Sequence, residues 1–329
     1  MQELSLVTGA SGLLGNNLVR VLLSHGEKVR CGVRNLTFLE PFADLDCEVV
    51  YADILDKESL LSAMRGVDTL YHAAAIFKHW SENPQKEIIQ ANLDGTQNIL
   101  EAAAECGIKK VVYVSSMAAL DRSKVPMDET GWGEDFPNPY YRAKNDSEKL
   151  AWELAAQLGL WMVTVLPSGI IGPFTYGHLS ATNSLLNMIV KNRLPFNPNY
   201  SFNFVHAQDV ARGMILAAQK GKSGERYILA TEPSISTTRV MEIAETLFPG
   251  TKKPPILPKA LQLILAAMSA GISSVTHNPP ALIAGNIRHF YMADETMNIS
   301  KARNALGYEP MPPEKAIRET LLHLATQNF

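Results

Sequence analysis

Short apolar runs alternate with stretches of helical periodicity through the first half of this chain. Residues 4–7, Leu-Ser-Leu-Val, predict a buried strand, and residues 13–24 repeat apolar positions at helical spacing until His25-Gly26 ends the pattern. The same reasoning predicts five further strands and three further helices. The strands are expected at 28–33, 48–51, 69–73, 111–115 and 161–166, and the helices at 58–64, 84–106 and 140–158.

This alternation is typical of βαβ units, in which a parallel sheet is covered by helices on both faces. We therefore predict an α/β fold, a doubly wound parallel sheet of the Rossmann type. After residue 167 proline and asparagine become frequent and the alternation fades, which indicates a smaller α/β domain that binds substrate. The predicted division assigns 1–166, with 204–231 returning to it, to the Rossmann domain, and 167–203 with 232–329 to the substrate-binding domain.

Composition narrows the class of protein. The chain has 329 residues, of which 46% are hydrophobic and 19% charged, with a net charge of −3, values typical of a globular protein. No basic stripe appears, so nucleic-acid binding is not expected. Cys31, Cys47 and Cys106 match no metal-binding spacing and suit a reduced compartment. The chain runs from Met1 almost directly into a strand, so we expect no signal peptide and a cytoplasmic protein.

The longest apolar stretch is 260–275, where polar residues and Gly271 interrupt a run shorter than the ~20 residues of a membrane helix. We expect a helix packed on the substrate domain and no integral membrane segment. A contact with a membrane surface is the alternative.

A glycine-rich loop lies directly between the first strand and the first helix. In Thr8-Gly-Ala-Ser-Gly-Leu-Leu-Gly15, Gly9 permits a tight turn, Gly12 lets backbone amides approach a pyrophosphate, and Gly15 lets helix and strand pack closely. A helix N-terminus adds free N–H groups and partial positive charge. The predicted phosphate-binding residues of a dinucleotide site are Gly9, Ser11, Gly12, Leu13, Leu14 and Gly15.

The end of the second strand bears on the choice between NAD and NADP. It reads Gly-Val-Arg34-Asn35 and lacks the carboxylate that would bind the ribose 2′-hydroxyl of NAD. The Arg34 guanidinium can pair with a 2′-phosphate, so we favour NADP(H), with NAD(H) as the alternative. Arg34 could instead be an ordinary surface arginine.

Two further strand ends complete the predicted dinucleotide site. Asp53 could accept a hydrogen bond from the adenine amino group while Ile54 packs on the ring, although Asp53 could also be a helix N-cap. The small residues Ala73, Ala74 and Ala75 would let a cofactor lie against the backbone. The preceding His72 is expected to be a core residue.

The candidate catalytic residues follow the fifth strand. Tyr140 and Lys144 are four residues apart on a predicted helix and share one face. A nearby Lys144 ammonium and the cationic nicotinamide favour phenolate, which would lower a tyrosine pKa that is ordinarily about 10. Tyr140 would donate a proton to a carbonyl oxygen, Lys144 could also hold the nicotinamide ribose, and Ser116, after Ser115 at the strand end, could orient the reacting oxygen.

These motifs together resemble the extended short-chain dehydrogenase/reductase family. The G-x-x-G-x-x-G spacing, Ser115-Ser116 and Tyr140-x-x-x-Lys144 are that family's forms, and 92–96, 167–173 and 204–211 resemble three more of its segments, although Leu166 replaces the usual arginine. Within the family, Val33-Arg34-Asn35 and 72–75 are most similar to the dihydroflavonol 4-reductase-like group. The resemblance implies an NAD(P)-dependent oxidoreductase, a cofactor contact at Ser115, and a nicotinamide pocket lined by Pro167, Gly169 and Ile170.

A hydrophobic substrate is our first hypothesis for the smaller domain. Its candidate pocket residues are aromatic: Phe77, Trp80, Trp132, Phe174, Tyr176 and Phe202 or Phe204. We expect NADP(H)-dependent reduction of a ketone or aldehyde. A nucleotide-sugar epimerase or dehydratase with bound NAD, a 3β-hydroxysteroid-type dehydrogenase and a non-catalytic dinucleotide sensor are the alternatives.

Two further questions stay open in the sequence. A second diphosphate in a sugar nucleotide would need cations such as Arg193, Arg212 and Arg288, but spacing does not show that these converge. The alanines of helices 84–106 and 140–158 would permit a homodimer, and helix-on-sheet packing explains them equally well.

Overall fold

Continuous apolar strands form the centre of the fold in a computed structural model that describes residues 3–177 and 179–327. Seven of them make one parallel sheet: β1 (Leu4–Thr8), β2 (Lys28–Val33), β3 (Glu48–Tyr51), β4 (Thr69–His72), β5 (Lys110–Val114), β6 (Met162–Pro167) and β10 (Arg226–Leu229). Their spatial order is β3-β2-β1-β4-β5-β6-β10, so the chain reverses direction across the sheet between β1 and β4. Ligands of such sheets bind at the carboxyl ends of the strands beside this reversal.

Helices cover both faces of the sheet, which confirms the predicted Rossmann-type α/β fold. Their bounds are α1 (Leu13–Ser24), α2 (Lys57–Ala63), α3 (Ala91–Glu105), α4 (Pro139–Leu158), α5 (Ala181–Val190), α6 (Ala207–Lys220), α7 (Thr237–Leu247), α8 (Lys259–Thr276), α9 (Ala284–Phe290), α10 (Ser300–Leu306) and α11 (Pro313–Thr326). Helices α1 and α6 bury their apolar residues on one face of the sheet, and α2, α3 and α4 do so on the other. The helix predicted over 84–106 is interrupted, because a π-helical segment, Gln85–Gln90, precedes α3.

Local capping fixes where the helices next to the site begin. The Asp56 carboxylate accepts a hydrogen bond from the Ser59 backbone and caps α2. Helix α4 has Asn138 as N-cap, whose side-chain oxygen accepts from the Tyr140 N–H at 3.0 Å, and Pro139 at the first helical position. These two residues place Tyr140 in the first turn of α4, at the edge of the sheet.

The second half of the chain supplies two short strand pairings and a separate apolar core. Strand β7 (Gly169–Ile171) pairs in parallel with β9 (Phe204–His206), and β8 (Ser201–Phe202) pairs antiparallel with β11 (Ile235–Ser236). Helices α5, α7 and α11 enclose a cluster that includes Leu186, Val240 and Leu321. The chain returns to the large sheet at β10, and α10 packs on α6. The chain therefore passes more than once between the two parts that we expected to divide at 166/167.

Candidate functional site

The glycine loop between β1 and α1 is a cradle that excludes side chains. A Cβ on Gly15 would lie 2.2 Å from the Gly9 carbonyl oxygen, and one on Gly9, whose φ is +69°, would lie 2.9 Å from the Ala74 Cα. Gly12 is the N-cap of α1 and has no side chain to cover the helix end. The first-turn N–H groups, which have no partner within a helix, are left to a ligand such as a pyrophosphate. Leu13 and Leu14 lie in this turn, and Ser11 lies in the loop, half-buried.

Arg34 lies just beyond β2 with its side chain exposed. Within the described residues no hydrogen bond or ion pair engages its guanidinium. The other arginine of this strand, Arg30, is engaged, since its Nε donates to Glu48 at 2.7 Å. Arg34 is therefore the guanidinium at this strand end that remains available to an anionic ligand.

The Asp53-Ile54 pair differs in detail from expectation. Asp56, not Asp53, is the N-cap of α2, and the Asp53 carboxylate accepts from the Leu55 N–H at 2.9 Å. The Ile54 side chain is 6% exposed and packs on Gly95 of α3, where a Cβ would lie 2.7 Å from its Cδ1. The Ile54 side chain is therefore directed toward α3, and its contact with adenine stays a prediction.

The end of β4 is held to β1 by buried polar groups. Thr8 Oγ1 and His72 Nδ1 lie 2.9 Å apart, and the Ala74 N–H donates to the same hydroxyl at 3.4 Å. Burial and the charge of Lys144 lower the pKa of His72 to about 3, so the ring is neutral. His72 is thus a hydrogen-bonded core residue, and the half-buried Ala73, Ala74 and Ala75 follow it at the sheet edge.

Tyr140 and Ser116 meet above the ends of β5 and α4. The Tyr140 hydroxyl hydrogen-bonds to the Ser116 side chain, whose oxygen also accepts from the Ala118 N–H at 3.1 Å. Phe77 and His79 contact the Tyr140 ring edge-on, with centroids 4.7 and 5.3 Å away. Burial raises the pKa of Tyr140, and the hydrogen bond with Ser116 opposes this only in part.

Lys144 lies one helical turn below Tyr140, as the spacing predicts. Its Nζ donates to the Val114 carbonyl at 3.1 Å. Burial lowers the pKa of Lys144 to about 8, and the nearby Glu148 carboxylate opposes that shift. The expected lowering of the Tyr140 pKa by Lys144 is not met in this structure, because burial dominates at the phenol and the ammonium is directed to β5.

A buried ion pair lies one further turn along α4. Glu148 is completely buried and accepts from the Arg226 Nε at 2.9 Å and from the hydroxyls of Ser115 at 2.6 Å and Thr164 at 2.7 Å. The Ser115 hydroxyl is therefore committed to Glu148, and only its backbone remains for the cofactor contact that we expected. Sequence reasoning missed Glu148, although its spacing of four from Lys144 was a usable signal.

One large cavity of about 1260 Å³ brings most of the predicted site together. Its wall includes the glycine loop, Ala73, Ala75, Ser115 and Ser116, both members of the Tyr140–Lys144 pair, and Pro167, Gly169 and Ile170. Apart from these groups the lining is mostly apolar and comes mainly from the second half of the chain. Its members there include Leu185, Met188, Leu194, Phe196, Tyr200, Phe202, Leu265, Met268, Ile272 and Phe290.

Most of the aromatic residues that we expected in the pocket lie elsewhere. Phe77 and Phe202 line the cavity, but Trp80, Trp132, Phe174, Tyr176 and Phe204 do not. Two arginines account for three of them: Arg226 lies 4.1 Å from the Trp132 ring centroid, and Arg20 lies 4.0 Å from that of Phe174 and donates to the Tyr176 hydroxyl. Phe204 is fully buried in the second core.

His79 is a cavity residue that no motif in the sequence singles out. Burial lowers the pKa of its imidazole, and a hydrogen bond with Asn138 opposes the shift. Its buried Nδ1 has no hydrogen-bond partner within the part of the chain that the structure describes. A neutral ring nitrogen beside Tyr140 is thus available to a polar group of a bound substrate.

The arginines considered for a second diphosphate do not gather in the cavity. Arg212 pairs with Asp209, Arg288 lines a separate cavity, and neither these two nor Arg193 contributes to the wall of the large one. Across 3–177 and 179–327 no group of three or more His, Cys, Asp or Glu side chains could hold a metal ion.

Comparison with known proteins agrees with this geometry. The model of the NAD dependent epimerase/dehydratase family matches residues 5–230. The chain belongs to this family. As an extended short-chain dehydrogenase/reductase it is an oxidoreductase that uses a nicotinamide dinucleotide, which confirms the predicted enzyme class.

Similarity to individual members of the family covers most of the chain. Sterol demethylase protein B of Methylococcus capsulatus is 34% identical over 69% of this chain and 70% of its own length. Dihydroflavonol 4-reductase of Zea mays is 28% identical over 69% of each chain. The crystal structure of gox2253 superposes with a TM-score of 0.82 at 29% identity and covers 98% of both chains. The predicted resemblance to dihydroflavonol 4-reductase-like enzymes is confirmed at this level.

Proposed function

We propose that this protein is an NADP(H)-dependent reductase of ketone or aldehyde groups in hydrophobic or ring-bearing small molecules. The observation that carries the proposal is the position of Tyr140, Ser116 and Lys144 on the wall of one large, mostly apolar cavity that begins at the glycine loop. A carbonyl substrate of that chemistry would place its reacting oxygen beside the phenol and its apolar body against the second half of the chain.

The residues that would hold NADP(H) are those whose chemistry matches each part of the cofactor. The side-chain-free cradle of Gly9, Gly12 and Gly15 suits a pyrophosphate, and the unengaged Arg34 suits a 2′-phosphate. Asp53 remains our candidate for the adenine amino group, and Ala73 and Ala75 with Pro167, Gly169 and Ile170 would enclose the nicotinamide end. When bound, NADPH supplies the hydride that adds to the carbonyl carbon.

Tyr140 acts as the general acid in the proposed reaction. Its hydroxyl donates a proton to the carbonyl oxygen. The Ser116 hydroxyl oxygen accepts from the Ala118 N–H, so its own hydrogen is free to donate a hydrogen bond to the same carbonyl oxygen. The Lys144 ammonium then stabilises the phenolate that remains and can hold the nicotinamide ribose. His79 would accept or donate a hydrogen bond at a neighbouring polar group of the substrate.

A nucleotide-sugar epimerase is the second candidate, and the charges of the cavity argue against it. A sugar nucleotide carries a diphosphate of its own, which would require cations in the substrate half of the cavity. Arg193, Arg212 and Arg288 do not contribute to that wall. The reduction of an uncharged apolar carbonyl needs no such cations.

The test is an assay with NADPH and a homologous series of aldehydes and ring-bearing ketones, followed by the loss of NADPH absorbance. We expect turnover with NADPH to exceed that with NADH, and kcat/KM to rise about fourfold per added CH₂, from ~0.8 kcal/mol for each one buried. Failure with every carbonyl, together with epimerisation of a UDP-sugar by protein carrying bound NAD, would contradict the proposal.

Three organisational predictions accompany this function as proposals. The division between a dinucleotide-binding part (1–166 with 204–231) and a substrate-binding part (167–203 with 232–329) would place the reaction at their junction. A homodimer through α3 and α4 is proposed with less support, because Ala102, Ala103, Ala151 and Ala155 are already buried against the sheet. A cytoplasmic location fits the three free cysteines.

A further inference from the structure

Helix α8 presents its apolar side to solvent and its small or polar side to the protein. It extends over 18 residues, slightly longer than the apolar stretch at 260–275. By length and composition alone it could cross a membrane. Its buried residues are Gln262, Ala266 and Ser273. Its exposed residues are large and apolar: Leu261, Ile264, Leu265, Met268, Ile272 and Val275, between 40% and 79% exposed. A helix of a soluble domain ordinarily has the opposite arrangement.

Specific hydrogen bonds hold the helix in this orientation. The Gln262 Nε2 donates to the carbonyls of Pro198 at 3.0 Å and Leu257 at 2.7 Å. The Ser273 hydroxyl donates to the Asn278 carbonyl at 2.6 Å. These bonds attach the polar side of α8 to the protein, so the outward position of the apolar side is built into the fold. The sequence expectation of a helix simply packed on the substrate domain described only this inner side.

The segment around α8 carries positive charge and no negative charge. Residues 246–293 contain no Asp or Glu, although acids make up 33 of the 329 residues of the chain. The cations of the segment are Lys252, Lys253, Lys259 and Arg288, of which Lys253 pairs with Glu245. At the other end of the helix the His277 ring contacts the carboxylate of Glu82, an acidic side chain from outside the segment, at 2.7 Å. Large apolar residues combined with basic ones are typical of helices that lie on anionic membranes.

The exposed side of α8 is continuous with the large cavity. Leu265, Met268 and Ile272 line the cavity and are also exposed at its mouth, whereas Leu261, Ile264 and Val275 extend the same apolar stripe outward. A surface that covered the stripe would therefore face the mouth of the cavity.

We propose that α8 docks this protein on the surface of a lipid bilayer that contains anionic lipids, with the helix in the interfacial plane and the cavity mouth toward the acyl chains. This inference goes beyond the proposed function and does not require it. An 18-residue helix is about 27 Å long, short of the ~30 Å hydrocarbon core, and spanning would break the bonds of Gln262 and Ser273. The helix therefore lies on the bilayer and does not cross it.

A second copy of the chain is a less suitable partner for the same stripe. In a two-fold interface each patch faces itself, so the basic residues of one segment would meet those of the other with no acid between 246 and 293 to compensate. Such an interface would also close the mouth of the cavity.

Flotation of the full-length protein with vesicles tests the proposal. One set of vesicles is phosphatidylcholine alone, and the other is an equal mixture of phosphatidylcholine and phosphatidylglycerol. We expect the protein to float with the mixed vesicles and, to a smaller extent, with the neutral ones. The fraction of the Ile264→Glu/Val275→Glu variant that floats should be roughly tenfold smaller than that of the wild type. The variant places two carboxylates on the stripe and leaves the cavity wall unchanged.

Matched variants separate docking from damage to the fold. Leu158→Glu/Leu322→Glu changes two exposed leucines on other helices and should float like the wild type. Lys252→Gln/Lys259→Gln should abolish the preference for anionic vesicles while binding to neutral ones persists. All variants should keep the wild-type melting temperature. The proposal is wrong if the wild-type protein does not float with either set of vesicles. It is also wrong if the wild type is a dimer that Ile264→Glu/Val275→Glu converts to a monomer while flotation stays the same.

Discussion

Burial raises the pKa of Tyr140 and lowers that of Lys144 to about 8, so burial acts against the charged form of each residue. A protonated phenol is the form that a general acid needs before it donates. A lysine with a pKa near 8 is still mostly an ammonium at neutral pH, held there against desolvation by Glu148. The charged groups that face Lys144 are thus Glu148 and, through it, Arg226, while the buried His72 is neutral.

The pH dependence of the reaction follows from Lys144. The ammonium is lost as pH rises through its pKa, so kcat/KM should fall above about pH 8. In Glu148→Gln the carboxylate that supports the ammonium is gone, so the Lys144 pKa should decrease and the fall should begin at lower pH. The measurement is a pH–rate profile below the melting temperature of each variant, since the unpaired Arg226 will also destabilise the fold. An alkaline limb at the same pH in both proteins would contradict the role of Glu148.

Arg34 should determine the preference for NADPH. Replacement by alanine removes the guanidinium that is available to the 2′-phosphate and leaves the glycine cradle intact, so NADPH affinity should fall 10- to 100-fold, from ~1.5–3 kcal/mol for charge-assisted hydrogen bonds. NADH affinity should change little. Fluorescence titration of both cofactors measures this, with Arg318→Ala on α11 as the control. Equal losses for NADPH and NADH would show that Arg34 acts on the fold and not on the phosphate.

At the level of elements, the first half of the fold could be predicted to within a residue or two. Strands buried on both faces are continuous apolar runs, and the helices between them begin at Asp56 or Asn138 and end at glycines, so sequence and structure report the same boundaries. The strands of the second half are only two or three residues long, as at Ser201–Phe202, and their pairing depends on tertiary contacts that no local pattern encodes.

The same contrast holds for the site. The glycine loop and the Tyr140–Lys144 spacing are local, and the sequence was sufficient to find them. Which aromatic residues enter the cavity depends on distant partners: Arg226 holds Trp132, and Arg20 holds Phe174, away from it. Phe290 and α8 reach the cavity through the folding of the last third of the chain, where none of the predicted catalytic or cofactor-binding residues lies.

The junction of β1 and α1 should tolerate no side chain at Gly15. A Cβ there would lie 2.2 Å from the Gly9 carbonyl, so Gly15→Ala must move α1 away from the loop and should reduce NADPH affinity at least roughly tenfold, with a lower melting temperature. Gly271→Ala on α8 is the matched control, because nothing lies within 4 Å of its added Cβ. It should keep affinity and gain up to about 1 kcal/mol of stability from helix propensity. Similar cofactor titrations for the two variants would contradict the packing role of Gly15.

On the scale of the whole molecule, the C-terminal residues close back onto the Rossmann sheet. Tyr308, which follows α10, is 1% exposed and packs on Gly213 of α6, where a Cβ would lie 3.1 Å from its ring. The last part of the chain is therefore anchored to the core between α1, α6 and the large sheet, at a point far along the sequence.

Removal of that anchor should cost much of the stability of the fold. Tyr308→Ala should lower the free energy of unfolding by about 3–5 kcal/mol, the usual range for loss of a buried aromatic ring. Tyr308→Phe should leave it unchanged or raise it by up to about 3 kcal/mol, because the buried hydroxyl has no hydrogen-bond partner among the described residues. Urea denaturation measures both. A large loss in the phenylalanine variant would mean that the hydroxyl, and not the ring, is what the fold requires.

The account as a whole depends on proton transfer by the phenol of Tyr140. Its most direct test is the comparison of Tyr140→Phe with the wild type, using the best carbonyl substrate of the series, with NADPH affinity measured separately. We predict a fall in kcat of ~10²–10⁴-fold with NADPH affinity and melting temperature nearly unchanged. Turnover by Tyr140→Phe within a few-fold of the wild type would contradict the proposed chemistry.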